Sequence, residues 1–379
     1  MKPGIVIIGA GIAGVTSAVT LRNLGYLGKI TLVSDEPGLP YKRTHLSKQL
    51  YRKILPGEFT TYTQEALANL EIDYYDNRVV DGVDLINHSL STHESKRWLE
   101  FSQLILATGS SPRPIVQCMN SFPVYNEQHV NHLQYALDQD LQVPIHVVGA
   151  GILGVEVAEQ LTRQGRKVML YCDQEYPMVR ELPKQIGVQL RDLLLSQGIQ
   201  LLPSRLFTNA SVQGFVVSAL GVEPNIQIAQ SCGLPCDRGI LVNEYLETAV
   251  PGVYAIGDCA QLPDGSISHL WHQAEFQGGY CARRVLGEES PFQSLPFRTK
   301  AEVFGWFVFS CGTVSGITQD DFLIVGEDLQ FWVRVEENRT TGIAFIGKRD
   351  KGFAKIAQKA VREQWTLEQV KTLARAPSN

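Results

Sequence analysis

One arrangement occurs twice in this chain, and it narrows the available folds more than any other feature. Residues 5–8 (Ile-Val-Ile-Ile) form a short apolar run that leads into Gly9-Ala10-Gly11-Ile12-Ala13-Gly14, then into apolar residues at helical spacing as far as Gly25. Residues 145–148 (Ile-His-Val-Val) lead in the same way into Gly149-Ala150-Gly151-Ile152-Leu153-Gly154 and a helical stretch ending at Gly165. A second strand is expected next in each copy, over residues 29–33 and 167–171, and each ends near an acid, Asp35 or Asp173. Strand, glycine turn, helix, strand and acid in that order make a dinucleotide-binding unit. The first glycine permits the tight turn, the second lets backbone approach a pyrophosphate, and the third lets helix and strand pack closely. The helix start supplies N–H groups and partial positive charge, and the acid accepts hydrogen bonds from a ribose diol. One such match is weak evidence. Two, each flanked by strands and ended by an acid, predict two nucleotide sites.

The rest of the chain arranges itself around these units. Residues 104–106 lead into Ala107-Thr108-Gly109, and residues 215–218 into Ala219-Leu220-Gly221-Val222-Glu223-Pro224-Asn225. The segment 248–258 holds a short apolar strand that presents Gly257 and Asp258 at its C-terminal end, where open α/β sheets place ligands. After Arg298 the pattern becomes alternating over residues 302–309, 322–325, 331–335 and 342–346, which predicts a small sheet closed by a helix from about Lys351.

Composition removes several function classes. With 379 residues, 44% of them hydrophobic, the chain can bury a sizeable core in two or three domains. A 19% charged fraction with 33 glycines and 18 prolines excludes disordered, collagenous and coiled-coil classes. A net charge of -5 speaks against a nucleic-acid coat or a polybasic membrane binder. Met1-Lys2-Pro3-Gly4 runs straight into the first strand instead of a signal peptide, and no stretch approaches about 18 apolar residues. A soluble cytoplasmic protein is expected. Seven scattered cysteines (Cys118, Cys172, Cys232, Cys236, Cys259, Cys281 and Cys311) read as reduced thiols. Cys232 and Cys236, in CxxxC spacing, read as packing thiols, and no four-ligand Cys/His cluster suggests zinc or an iron–sulfur centre, so no metal is expected.

Two further stretches carry a family resemblance. Pro40-Tyr41-Lys42-Arg43-Thr44-His45-Leu46-Ser47-Lys48 is similar to a PYxRxxLSK motif, and Trp271-His272-Gln273-Ala274-Glu275-Phe276-Gln277-Gly278 to a WxxAxxQG stretch. With the two glycine turns and the loops at 107–109, 221–225 and 253–258, the chain resembles, over nearly its whole length, the FAD- and NAD(P)-dependent pyridine nucleotide oxidoreductases. Within them it is most similar to the NADH-dependent rubredoxin and ferredoxin reductases. The resemblance implies an α/β fold with two Rossmann-like domains: an FAD domain of residues 1–113 and 235–297, split by an NAD domain of residues 114–234. A small α+β domain of residues 298–379 completes it. It implies that Gly9, Gly11 and Gly14 hold the FAD pyrophosphate and Asp35 its adenosine ribose. Arg43 and Lys48 line the flavin side, Ala107, Thr108 and Gly109 close over the cofactor, Asp258 bonds its ribityl chain, and Val79 and Gly257 are further cofactor-binding residues. Gly149, Gly151, Gly154, Asp173 and Gly221 are the expected NADH set.

Lys48, paired with Glu156, is expected to stabilise the electron-rich reduced flavin by its charge alone. Trp271 is expected beside the nicotinamide or the electron exit path. Because hydride transfer to flavin needs no general acid, the histidines read as structural, with His272 singled out only by its place next to Trp271. Asp173 suits a free ribose 2′-hydroxyl, and no Arg follows it before Arg180, so NADH is favoured over NADPH. Relatives that reduce disulfides carry CxxxxC or CxxC pairs, which this chain lacks, so its second redox centre lies on another protein. The expected partner is a small acidic iron electron carrier, a rubredoxin or ferredoxin. It would be drawn to Arg283 and Arg284, or to Lys348, Arg349, Lys351, Lys355, Lys359 and Arg362, of which the last four recur at helical spacing. Two other readings stand beside this one: an NADH oxidase or small-molecule reductase without a protein acceptor, and a redox-gated signalling protein of the apoptosis-inducing-factor type. The stretch between Leu201 and Gly214 is shorter than the β-meander usual there, which predicts a trimmed NAD domain.

Overall fold

The computed structural model describes residues 3–50, 52–55, 57–115, 121–203, 207, 213–314, 322–325, 329–348 and 351–374. Cys118, Arg349, the side chain of Lys351 and most of the short stretch 202–213 lie outside the described residues. The chain divides into two compact units: Met1–His45, Ile54–Pro112 and Val222–Leu295 form the first, and Leu46–Lys53, Arg113–Gly221 and Pro296–Asn379 the second.

The first unit is built on a parallel sheet in the order Ile72–Tyr75, Ile30–Val33, Gly4–Ile8, Ser95–Leu106, Val253–Ala255. Strands Gly4–Ile8 and Ile30–Val33 are buried at every position, Thr31 included, so neither shows the in–out alternation of a half-exposed strand. The earlier part of Ser95–Leu106 pairs antiparallel with Ser89–Thr92, which in turn pairs with Gly82–Asp84. Helices Ile12–Asn23 and Trp271–Val285 pack on each other through Gly278, where a Cβ would collide with the carbonyl oxygen of Ala13. A two-stranded antiparallel ribbon, Ser110–Pro112 with Val222–Pro224, closes this unit where residues 113–221 leave it and return.

The second unit repeats the parallel theme in the order Gln200–Leu202, Val168–Tyr171, Ile145–Val148, Phe215–Ser218, Ser121–Pro123. Helix Ile152–Arg163 follows the second glycine turn. The buried Arg166 guanidinium donates to the carbonyls of Leu137 (3.0 Å) and Asp140 (2.7 Å), binding the end of helix Glu127–Gln139 to the sheet. The same unit holds the five-stranded antiparallel sheet Arg298–Val303, Trp306–Gly312, Arg339–Gly347, Leu329–Glu336, Phe322–Val325. Helix Lys351–Arg362 covers it, setting Ala354, Ala357, Ala360 and Val361 against Phe309, Phe331, Val333, Ile343 and Phe345.

One element differs from the expectation. The alternation over residues 302–309 is not one strand but the two arms of a hairpin, Arg298–Val303 and Trp306–Gly312, with Val303 paired to Trp306. Phe304 and Gly305 between them both have positive φ (49° and 79°), the backbone of a two-residue primed turn. Two residues are one full period of a strand, so the alternation passes through the turn without a break in phase.

Candidate functional site

The two glycine turns have the same internal construction. Gly9 and Gly149 both have φ of 107°, and a Cβ on either would strike a carbonyl oxygen of the neighbouring strand's end, Ala107 for the first and Ala219 for the second. Gly14 and Gly154 lie against the carbonyl oxygens of Gly9 and Gly149 and have no room for a side chain. These four glycines are required by the protein's own packing.

Gly11 and Gly151 are different. A Cβ on either meets nothing within 4 Å, and both have ordinary extended backbone, φ -64° ψ 177° and φ -73° ψ -175°. Each is the N-cap of a 12-residue helix that has neither a capping side chain nor an acid in its first turn. The leading N–H groups and the positive end of the dipole are therefore unopposed. Open space in front of an uncapped helix start fits a pyrophosphate in both turns.

The two acids occupy matching places. Asp35 lies two residues beyond Val33 and Asp173 two beyond Tyr171, and both are exposed. The turns are bound to those strands, Gly9 N donating to Val33 O (2.8 Å) and Gly149 N to Tyr171 O (3.2 Å). Past the first acid, Glu36 forms an anchor that the sequence reading did not single out. Its carboxylate accepts from Tyr41 Oη (2.8 Å) and from the Arg43 guanidinium, so Arg43 is held at the Asp35 corner. Arg78 N donates to Ser34 O (2.8 Å) at the same corner, which brings up Val79, 59% exposed. Beside the second acid, Met178 N donates to Ala150 O (2.8 Å), joining the segment after Asp173 to its glycine turn.

The return loops of the first unit are stitched by Asn225. Its Nδ2 donates to Thr108 O (2.9 Å) and its backbone N to Gly109 O (2.9 Å), while its Oδ1 accepts from Ser111 Oγ (2.7 Å). Thr108 Oγ1 donates to Asn225 O (2.7 Å). Gly109 and Gly221, both with positive φ, stand at corresponding places after their strands. Asp258 accepts from Ser110 Oγ (2.8 Å), and His269 Nδ1 lies 3.6 Å from the same oxygen. Gly257 N donates to Gln277 Oε1 (2.6 Å). Trp271 is the half-buried first residue of helix Trp271–Val285.

The 3-10 turn Arg43–Lys48 ends on the expected lysine, which belongs to the second unit. Lys48 Nζ is 3.8 Å from Glu156 Oε1, with the lysine side chain 52% exposed and the glutamate 11%. The pair expected from the sequence is thus brought together. A third member was not foreseen: Ser47 Oγ donates to Glu156 Oε2 at 2.6 Å. Burial pushes the Glu156 carboxyl up from the ordinary carboxylate range, while the Ser47 hydroxyl and the Lys48 charge pull it back.

The thiols are placed for packing. Cys232 Sγ donates to Ala229 O (3.2 Å) and Cys236 Sγ to Leu234 O (3.4 Å), and burial pushes both thiols up, away from thiolate. Cys259 and Cys281 are fully buried and shifted the same way. Among the described residues, no group of three or more His, Cys, Asp or Glu side chains could hold a metal ion. Among the same residues, no helix is long and apolar enough to cross a membrane.

Comparison with known proteins agrees with this geometry. Residues 3–278 match the family model described as pyridine nucleotide-disulphide oxidoreductase. The chain is 26% identical to the NADH-rubredoxin oxidoreductase of Clostridium acetobutylicum, over 97% of each chain. It is 33% identical to the rhodocoxin reductase of Rhodococcus erythropolis, over 77% of this chain and 74% of that one. Among solved structures, a ferredoxin reductase from Rhodopseudomonas palustris has the same fold, with a TM-score of 0.86 at 23% identity over 99% of this chain and 100% of that one.

Proposed function

The chain belongs to the pyridine nucleotide-disulphide oxidoreductase family, and from that premise we propose that it is an FAD-containing, NADH-dependent reductase delivering electrons to a small iron protein, a rubredoxin or ferredoxin. The observation that carries the reading is the pair of open, uncapped glycine turns at Gly11 and Gly151, one for each nucleotide. The absence of a CxxxxC or CxxC pair removes disulfide reduction from the family's repertoire here. The named reductases among the relatives support an iron protein as acceptor. The free cysteines support a reducing cytoplasmic setting.

Bound FAD supplies the chemistry: it takes two electrons from a nicotinamide and releases them one at a time. The chain's own residues bind and orient. Gly9, Gly11 and Gly14 with the following helix start hold the FAD pyrophosphate, and Asp35 the adenosine ribose. Arg43, Val79, Ala107, Thr108, Gly109, Gly257 and Asp258 complete that set, with Asn225 and Ser110 fixing two of its members. Gly149, Gly151, Gly154, Asp173 and Gly221 hold NADH. Lys48 supplies a positive charge that favours the electron-rich reduced ring, Glu156 balances it, and Trp271 completes the catalytic set. The division into a split FAD domain (1–113 and 235–297), an NAD domain (114–234) and a small C-terminal domain (298–379) is part of the same proposal.

Coenzyme choice follows from Asp173. A carboxylate beside a 2′-phosphate costs enough to make NADPH roughly 10- to 100-fold less efficient than NADH. Asp173→Ala is expected to narrow that ratio, and kcat/KM for both coenzymes in wild type and variant checks it. Equal efficiencies in the wild-type enzyme would remove the role.

The acceptor is tested by following NADH oxidation with and without added rubredoxin or ferredoxin. Turnover that rises with either carrier is expected, and turnover indifferent to both would overturn this part of the proposal. Helix Lys351–Arg362 presents Lys355, Lys359 and Arg362 on its exposed side, opposite its buried alanines. Residues 296–379 carry 12 Lys and Arg against 10 Asp and Glu in a chain of net charge -5, so this region suits an acidic carrier. Reversing Lys355 and Lys359 to Glu should raise the carrier KM roughly tenfold and leave flavin reduction by NADH unchanged. Salt should act likewise above about 0.1 M, where the Debye length is about 10 Å.

A further inference from the structure

Glu156 has two oxygens with two different partners. Oε1 faces the Lys48 ammonium at 3.8 Å, and Oε2 receives the Ser47 hydroxyl at 2.6 Å. Ser47 is 5% exposed and Glu156 9%, so neither has water ready to replace the other. A carboxylate held at one oxygen by a fixed neutral donor can turn only its second oxygen outward. Here that oxygen meets the half-exposed lysine.

We propose that Ser47 is a positioning residue, whose hydroxyl holds one oxygen of the Glu156 carboxylate, favours its charged form and leaves the free oxygen turned to Lys48. The proposal deepens the catalytic reading of Lys48 and Glu156 and rests on it for its consequence in turnover.

The surroundings explain why such a hold is needed. Burial favours the neutral acid, and Glu159, one turn further along the same helix, adds a like charge. Glu159 is itself answered, by Arg163 and by the backbone N–H of Phe304 (3.2 Å), so it does not borrow the donors of Glu156. Against burial and Glu159 stand Ser47 and Lys48. Lys48 is half exposed, and its attraction is weakened by solvent. The short hydrogen bond from the buried Ser47 hydroxyl, a neutral donor on a charged acceptor, is the attraction on the carboxylate that water screens least. Removing the hydroxyl leaves Oε2 without a donor, and a proton on the carboxyl becomes the ready substitute. Lys48 then loses its counter-charge at a pH where the wild-type pair is intact.

The experiment uses the FAD-bound enzyme as purified. Infrared spectra recorded across pH give the protonation midpoint of Glu156, assigned by the band lost in Glu156→Gln. In Ser47→Ala the midpoint is expected to rise by about one to two pH units, the value of a lost hydrogen bond to a charged group. Ser47→Thr, which restores the hydroxyl, is expected to bring it back. A midpoint unchanged in Ser47→Ala overturns the proposal, as does a shift that Ser47→Thr fails to reverse, since that would mark loss of packing instead of loss of the donor. Stopped-flow reduction by NADH separates this from the reading beneath it. If the rate loses its low-pH arm at the same raised midpoint, both stand. If the midpoint moves and the rate profile does not, Ser47 keeps its role and Glu156 loses its part in catalysis.

Discussion

Replacing Gly11 with valine is expected to give a folded protein that no longer retains FAD, and replacing Gly151 with valine one that retains FAD but loses NADH. The backbone at both positions suits any residue, and a Cβ there touches nothing within 4 Å. Folding therefore has no reason to fail, and the branched side chain fills only the space in front of the helix start. Losing the close approach of backbone to pyrophosphate removes several charge-assisted hydrogen bonds at about 1.5–3 kcal/mol each, so affinity should fall by at least about 100-fold. Flavin absorbance of the purified Gly11→Val protein and KM for NADH of Gly151→Val are the measurements. The control is built in: Gly14→Val and Gly154→Val, whose side chains would drive into the carbonyls of Gly9 and Gly149, should fail to fold instead. Full FAD retention by a folded Gly11→Val protein would mean that the first turn does not hold the pyrophosphate.

Lys48→Ala is expected to slow reduction of the flavin by NADH by about 10- to 100-fold while leaving the melting temperature within a few degrees of wild type. An ammonium aimed at developing negative charge is worth the most where water is scarce, and Lys48 is half exposed, which sets the effect below that of a fully enclosed donor. Its ion pair with Glu156 is partly solvated and contributes little to folding. Removing the ammonium also takes away one of the two groups that oppose burial at Glu156, so the carboxyl should hold its proton to higher pH. Stopped-flow traces read the rate, and Lys48→Arg, which keeps the charge, should recover part of it. A wild-type rate in Lys48→Ala would leave Lys48 with a structural part only.

The frame of both units was legible because its signals are local. An apolar run, three spaced glycines, a helix and an acid all fall within about thirty residues, and each has a steric or electrostatic reason visible in the residue types. What escaped has partners far along the chain. Ser47 lies 109 positions from Glu156, Asn225 114 from Ser111 and Ser110 148 from Asp258. Serine and asparagine donate to so many groups that residue type alone does not indicate which. Glu36 is obscured for a different reason: it directly follows Asp35, and residue type does not distinguish an exposed ribose acid from the anchor for Tyr41 and Arg43 beside it. The hairpin at Phe304 and Gly305 was hidden by phase, its only local sign being the glycine.

The ribbon of Ser110–Pro112 with Val222–Pro224 has a consequence for how such a chain can evolve. Residues 113–221 depart and re-enter through strands that are already hydrogen-bonded to each other, and just beyond them Arg113 N donates to Gly221 O (3.0 Å). The ends of a hundred-residue excursion are thus joined by the host, and lengthening or shortening the excursion changes the cost of closure only logarithmically. Changes of length within residues 113–221 therefore leave the ribbon itself in place, and variation can accumulate there at little cost to the join.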